Sequence, residues 1–247
     1  QPPSPVGPVS IQDLSFSGVL AGEKIDTLKA GLADKNATLC LISDLASIAW
    51  LFNIRGNDTP HTPLALAYAI IRADDFPLLF IDKRKLSYEV EAYLTQLTDI
   101  HPYENLGLEL AKLAENKEIL TDFSKTSVAL ADIVTSNRGT ISKGSDPVSL
   151  PRAIKNKQEI DGSRQAHLRD GVAVTKFLYW IDQQTVGSID EIAAVSQLET
   201  LRTKTAKQFD SELKDISFDS ISGAGPNGAI IHYRVTHDSN AVLENNS

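Results

Sequence analysis

The chain has 247 residues, 24 Lys+Arg against 32 Asp+Glu for a formal net charge of −8, 42% hydrophobic residues and 23% charged residues. This composition supports one large or two modest packed domains and excludes a disordered polyelectrolyte. The acidic balance, with no cluster of Lys and Arg, excludes a phosphate-backbone binder, so no nucleic-acid partner is expected. The longest apolar runs, such as 65–71, fall far short of the roughly 20 residues that span a bilayer, and no basic, apolar leader opens the chain. No membrane partner is expected. Cys40 is the single cysteine, which rules out an intrachain disulfide and a thiolate zinc site and points to a reducing, cytoplasmic setting. Starting at Gln1 and holding no methionine, the chain reads as a segment excised from a longer protein or one that has lost modified methionines.

The opening Gln-Pro-Pro-Ser-Pro-Val-Gly-Pro has the proline density of an extended linker, and 1–10 is read as one. The spacing of Ile25, Leu28 and Leu32 predicts a helix over 21–34, and the apolar run 38–42 predicts a buried strand. Asp44 is placed to cap a helix through Phe52. Residues 69–71 and 78–81 read as paired strands around the polar turn 73–77. Helix and strand then alternate: helices over 86–97, 105–116 and 125–136, strands over 99–101 and 118–122. The alternation predicts a mixed or parallel α/β sheet covered by helices.

The pattern changes at Pro151, where a boundary between an α/β domain, 11–151, and a second domain, 152–247, is drawn. A long helix is expected over 153–184 with Ile160, Ala166, Val172, Val174, Phe177, Leu178 and Ile181 on its apolar side. Ser188 and Glu191 have capping-box spacing for a second helix carrying Ile192, Val195, Leu198 and Leu201. The turn Gly223-Ala-Gly-Pro-Asn-Gly228 is expected to feed a strand over 229–235.

Zinc-protease, serine-elbow, P-loop and dinucleotide fingerprints are all missing. Of the five histidines, only His232 and His237 are neighbours, and on an extended segment they face apart, so no self-contained metal site is expected. His232 admits two readings: a hydrogen-bonded structural histidine between Ile231 and Tyr233, or a side chain on an active-site wall built by the glycine-rich turn.

Taken together, Trp50-Leu-Phe-Asn-Ile-Arg-Gly56 with Asp58, His61-Thr-Pro63, Lys155-Asn with Glu159, Ala166-His-Leu-Arg-Asp170 and, above all, Ser217-Phe-Asp-Ser-Ile-Ser-Gly-Ala-Gly-Pro-Asn-Gly-Ala-Ile-Ile-His-Tyr233 resemble the long, three-domain aminopeptidase P family, the Xaa-Pro aminopeptidases. The resemblance runs from about Ser10 to the last residue. It implies a creatinase-like α/β middle domain, followed by the opening, incomplete part of a pita-bread catalytic domain. It also implies removal of an N-terminal residue that precedes proline, two divalent metal ions, commonly manganese, and a homodimer acting on a peptide with proline at its second position. By match to the motif, His232 is the active-site histidine that hydrogen-bonds the substrate carbonyl, and Phe218 lines the substrate pocket. The family's metal ligands follow the His-Tyr motif and would begin beyond Ser247, so no metal ligand is expected in 1–247 and the segment alone is expected to be inactive. His237, Asp238 and Glu244 match no ligand position. A metal-free pita-bread peptide-binding module, or a prolidase or creatinase relative, is the alternative.

Overall fold

The computed structural model describes residues 3–33 and 37–245. It divides into two compact units, Gln1–Ile160 and Asp161–Ser247. The division falls in the first turn of a long helix, beyond the boundary drawn at Pro151, because that first turn is bonded into the earlier unit, as described below. Among the described residues no helix is long and apolar enough to cross a membrane.

The first unit runs β1 (Ser10–Ile11), α1 (Leu14–Ser17), α2 (Ala21–Ala33), β2 (Leu39–Ile42), α3 (Leu45–Leu51), β3 (Ile54–Arg55), β4 (Ala67–Arg72), β5 (Leu78–Ile81), α4 (Tyr88–Leu94), β6 (Asp99–His101), α5 (Leu106–Ala114), β7 (Glu118–Thr121), α6 (Val128–Ser136), β8 (Thr140–Lys143) and α7 (Ser149–Ala153). The helix expected to reach Asp34 ends its described part at Ala33; Asp34 lies outside the described residues, as do Gln1 and Pro2 of the expected linker. The sheet has the order β6-β5-β4-β2-β7-β8, with β4 antiparallel to both β2 and β5 and the remaining pairs parallel. It is therefore the mixed α/β sheet that the alternation implies.

The continuous apolar runs of the central strands follow from burial on both faces, since side chains along a strand point alternately to opposite sides. Cys40 and Ile42 enter one core with Ile25, Leu28 and Leu32 of α2, Ile48 and Leu51 of α3 and Val90 and Leu94 of α4. Leu39 and Leu41 enter the other with Leu106 and Leu110 of α5 and Leu130 and Val134 of α6. A one-residue slip of β2 would exchange the two sets, so its register is fixed from both sides.

The proline-rich start is bound to this unit. The Gly7 N–H donates to Asp58 Oδ1 at 3.0 Å, and a Cβ at Gly7 would stand 2.2 Å from the Asn57 carbonyl oxygen, which only glycine permits. Val9 is buried and its N–H donates to the Lys85 carbonyl. Asp58 also accepts from Leu66 N–H at 2.6 Å and from Lys85 Nζ at 2.6 Å, with the Lys85 and Asp58 side chains only 3% and 0% exposed.

The second unit is built on α8 (Lys157–Asp182) from Asp161 onward and α9 (Glu191–Gln208), followed by a segment whose regular element is the 3-10 turn Gly225–Ala229. Arg202 of α9 pairs with Asp170 of α8 at 2.7 Å, and Lys176 Nζ reaches Thr205 Oγ1 and Gln208 Oε1. The expected apolar side of α8 is corrected here. Ala173 is its buried residue, whereas Ile160 and Leu178 are exposed, because the larger side chains lack a covering layer among the described residues. The strand expected over 229–235 is likewise absent. That backbone closes on itself, Ile230 N–H to Asn227 O and Tyr233 N–H to Ile230 O, and a strand requires a ladder partner, which the described residues do not supply.

Replacing Lys85 by Met should leave the Asp58 carboxylate buried without its cation and lower stability by about 3–5 kcal/mol. Urea unfolding of the 1–247 chain, followed at the sheet, should show an earlier midpoint with an unchanged slope; an unaltered midpoint would contradict this account of the first unit.

Candidate functional site

Two motifs singled out in the sequence can be built from their residues upward, one in each unit. In the first unit, Asp44 caps α3, accepting from Ala46 and Ser47 N–H at 2.8 and 3.1 Å. The helix ends at Leu51, and Asn53, at φ +49°, turns the chain into β3. That turn sets the Trp50 ring against Lys24, whose Nζ lies 4.1 Å from the ring centroid and donates to Trp50 O at 2.9 Å and Asn53 Oδ1 at 2.6 Å. The Trp50 Nε1–H donates to Glu159 Oε1 at 3.2 Å. Glu159 in turn forms a reciprocal cap at the start of α8: its Oε2 accepts from Asn156 N–H, and its own N–H donates to Asn156 Oδ1. Asn156 Nδ2 reaches the Ser17 carbonyl at 2.8 Å, which completes the attachment of this first turn to the unit that precedes it.

Burial draws the Lys24 amine down from 10.5 to about 8; the Glu159 carboxylate opposes the shift and the Arg55 guanidinium adds to it. Lys24 and Trp50 line a cavity of about 580 Å³ together with Leu28, Leu51, Val148 and Pro151. The Trp50 to Asp58 motif is therefore a structural clamp: its Trp50, Asn53, Arg55 and Asp58 side chains are bonded to protein partners and present no reactive pair.

In the second unit, α9 begins at a different cap from the one expected. Asp190, not Ser188, is the N-cap, its Oδ1 accepting from Ala193 N–H at 2.7 Å. Ser188 instead donates its hydroxyl to the Thr185 carbonyl, and the Glu191 carboxylate, which the capping box would have turned back on the helix, is used elsewhere. Glu191 is fully buried. Its Oε1 accepts from Ala224 N–H at 2.6 Å and Asn227 Nδ2 at 3.1 Å, and its Oε2 from the Tyr233 hydroxyl at 2.7 Å and Ala241 N–H at 3.1 Å. Burial pushes the Glu191 carboxyl upward, but the bonds from Tyr233, Ala224, Asn227 and Ala241 outweigh it and hold the group below its ordinary range. The same burial, with the carboxylate beside it, raises the Tyr233 phenol. The chain after the turn is pinned as well: Leu243 N–H donates to Ile189 O and Glu191 N–H to Ala241 O.

His232 occupies this glycine-rich segment at φ +56°, a left-handed conformation that costs a non-glycine residue about 1–3 kcal/mol and persists where its surroundings impose it. Its side chain is exposed. Phe218 is 63% exposed, and the segment doubles back so that Asp219, next to Phe218, pairs with Arg234, two residues beyond His232, at 2.9 Å. His237 and Asp238 are exposed on the following loop, and neither His232 nor His237 sits on a strand, so the alternation expected to turn them to opposite faces does not apply. Among the described residues no group of three or more His, Cys, Asp or Glu side chains is placed to hold a metal ion. Glu191 was not singled out in the sequence as a site residue; the available signal was two successive acids, Asp190 and Glu191, where a helix start needs only one.

The mixed sheet with its helical covers defines the first unit as an α/β domain. The Creatinase/Prolidase N-terminal domain family matches residues 1–159, and the chain belongs to that family. Over 259 aligned residues the chain is 34% identical to a protein of Sordaria macrospora named "Probable Xaa-Pro aminopeptidase P", covering 100% of this chain and 41% of that one; a like-named protein of Neurospora crassa is 34% identical over 256 residues, with 99% and 36% covered. The chain thus spans about two fifths of the length of the curated relatives it matches. Among solved structures, the X-prolyl aminopeptidase of Caenorhabditis elegans, described as a cytosolic enzyme with a di-nuclear active site, superposes with a TM-score of 0.86 at 25% identity over 98% of this chain and 40% of that one. The prolidase of Pyrococcus horikoshii shares the fold, with a TM-score of 0.61 at 18% identity.

Because the folded Lys24 amine titrates near 8 and the unfolded one near 10.5, the unfolded chain binds the extra proton between those values, and stability rises with pH across that window. Denaturant midpoints of the 1–247 chain should increase from about pH 8 towards 10.5 relative to a Lys24→Met variant. Parallel pH profiles for the two chains would refute the assignment.

Proposed function

We propose that this chain is one part of a metal-dependent Xaa-Pro aminopeptidase, which removes the N-terminal residue of a peptide whose second residue is proline. The observation that carries the reading is the likeness over the full length of the chain, both units included, to proteins named for that activity. In this reading the first unit is a creatinase-like domain, the second opens the catalytic domain, and the enzyme is a cytoplasmic homodimer.

The bond before proline is a tertiary amide with no N–H, so the substrate is recognised through its carbonyl and its ring. His232, exposed on a turn held in a left-handed conformation, supplies the hydrogen bond to that carbonyl and to the oxyanion that develops on it. The exposed Phe218 ring, on the same doubled-back segment, offers an apolar wall for the proline. Two divalent ions, manganese in this reading, would supply an activated water in the whole enzyme. The described residues of this chain bring no three donors together, so the ions are not assigned to them, and the 1–247 chain alone is read as inactive.

Replacing His232 by Ala in the full-length enzyme should lower kcat by roughly 10² to 10³, the loss typical of one oxyanion donor. Its metal content, by elemental analysis, should be unchanged, since His232 is read as a donor to substrate and not as a ligand. Loss of metal, or full turnover, would reverse the assignment.

The 1–247 chain, given manganese and an Xaa-Pro peptide, should show neither hydrolysis nor a stoichiometric calorimetric transition. Scattered carboxylates and imidazoles bind such ions weakly because each must be ordered for few contacts. Micromolar stoichiometric binding would show that a ligand set lies within 1–247.

A further inference from the structure

Among the described residues the Glu191 carboxylate is the one buried acid of the second unit, and its donors come from both sides of the turn that carries His232. Ala224 N–H and Asn227 Nδ2 reach it from before His232, and the hydroxyl of Tyr233, the very next residue, from after it. Asn227 Nδ2 also touches the Tyr233 hydroxyl at 3.0 Å and the Ser239 carbonyl at 2.9 Å, so the donors are joined to one another as well as to the acid. Within the turn, Tyr233 N–H closes on Ile230 O. His232 lies inside that closed loop with a positive φ and an exposed imidazole. Every donor around Glu191 needs an acceptor. An amide in its place has a single acceptor oxygen and would turn an NH₂ towards the Ala224 or the Ala241 N–H, groups that can only donate, so the shell would lose an acceptor and loosen.

We propose that Glu191 is a positioning residue for the peptidase reaction: through Ala224, Asn227 and Tyr233 it fixes the 222–233 turn and, with it, the direction in which the His232 imidazole is presented. The inference rests on the reading of His232 as the donor to the substrate carbonyl, and adds to it a residue that touches neither substrate nor metal. Misplacement of a reacting group by about 1 Å lowers turnover by up to about 10²-fold, so the effect belongs in kcat and not in uniform substrate binding.

The test is a double-mutant cycle in the full-length enzyme, with kcat and KM measured on an Xaa-Pro peptide for Glu191→Gln, His232→Ala and the pair. Glu191→Gln should lower kcat by roughly 10- to 100-fold with KM little changed. In the His232→Ala background it should cost no more than about threefold, because the group it positions is gone. Amide exchange in the 1–247 chain should show that Glu191→Gln unprotects Ala224 and Ala241 and leaves the first unit as it was. Undiminished kcat in Glu191→Gln, or an equal loss with and without His232, overturns the inference while leaving the reading of His232 intact. Full turnover in His232→Ala overturns that reading and the inference with it. If Glu191→Gln does not fold, Tyr233→Phe takes its place in the cycle: a smaller kcat loss that vanishes in the His232→Ala background supports the inference, and no loss overturns it.

Discussion

A carboxylate removed from water must be met by donors, and each unit is arranged around one that is. In the first, Asp58 gathers the Gly7 and Leu66 amides and the Lys85 ammonium, so that the start of the chain, the loop before β4 and the turn after β5 share one anchor. In the second, Glu191 gathers the Ala224 and Ala241 amides, Asn227 and Tyr233. The two solutions differ in charge. Asp58 is balanced by a cation, whereas Glu191 is met, among the described residues, by dipoles, which gives direction without a second buried charge. Segments with little regular structure are thereby each tied to a buried acceptor.

Much of the first unit is legible in the sequence because its signals are local. The runs Leu-Cys-Leu-Ile and Leu-Leu-Phe-Ile announce strands buried on both faces, and Asp44 announces its helix. What is not legible depends on partners remote in sequence. The proline-rich start reads as a linker by composition, yet Gly7 is held by an acid 51 positions away. Residues 229–235 have the apolar run of a strand, but alternation states only that a strand is possible; without a ladder partner the same residues fold back in short-range turns. Ser188 and Asp190 are both good caps, and the choice between them turned on Glu191, whose side chain goes to the loop and leaves the helix end to its neighbour.

The candidate site shows the same division. The residues of the glycine-rich motif are recognisable as a string, and the structure gives the string a physical cause: glycines and Asn227 allow the chain to turn tightly around a buried acid, and Tyr233 locks the turn from its far side. His232 is left as an exposed imidazole on a constrained backbone, the condition under which a hydrogen-bond donor can be pre-aimed at a carbonyl instead of being ordered at the moment of reaction. The Trp50 motif, equally recognisable, has the opposite character, since its side chains are spent on neighbouring parts of the first unit.

Cys40 lies at the middle of the sheet, in β2, only 1% exposed, between a parallel and an antiparallel neighbour. As the chain's single thiol, it is shielded from aqueous reagents until the sheet comes apart around it. The protein therefore carries its own clock: the rate at which a disulfide reagent labels the folded chain counts openings of the central strand, with no competing site and no engineered probe.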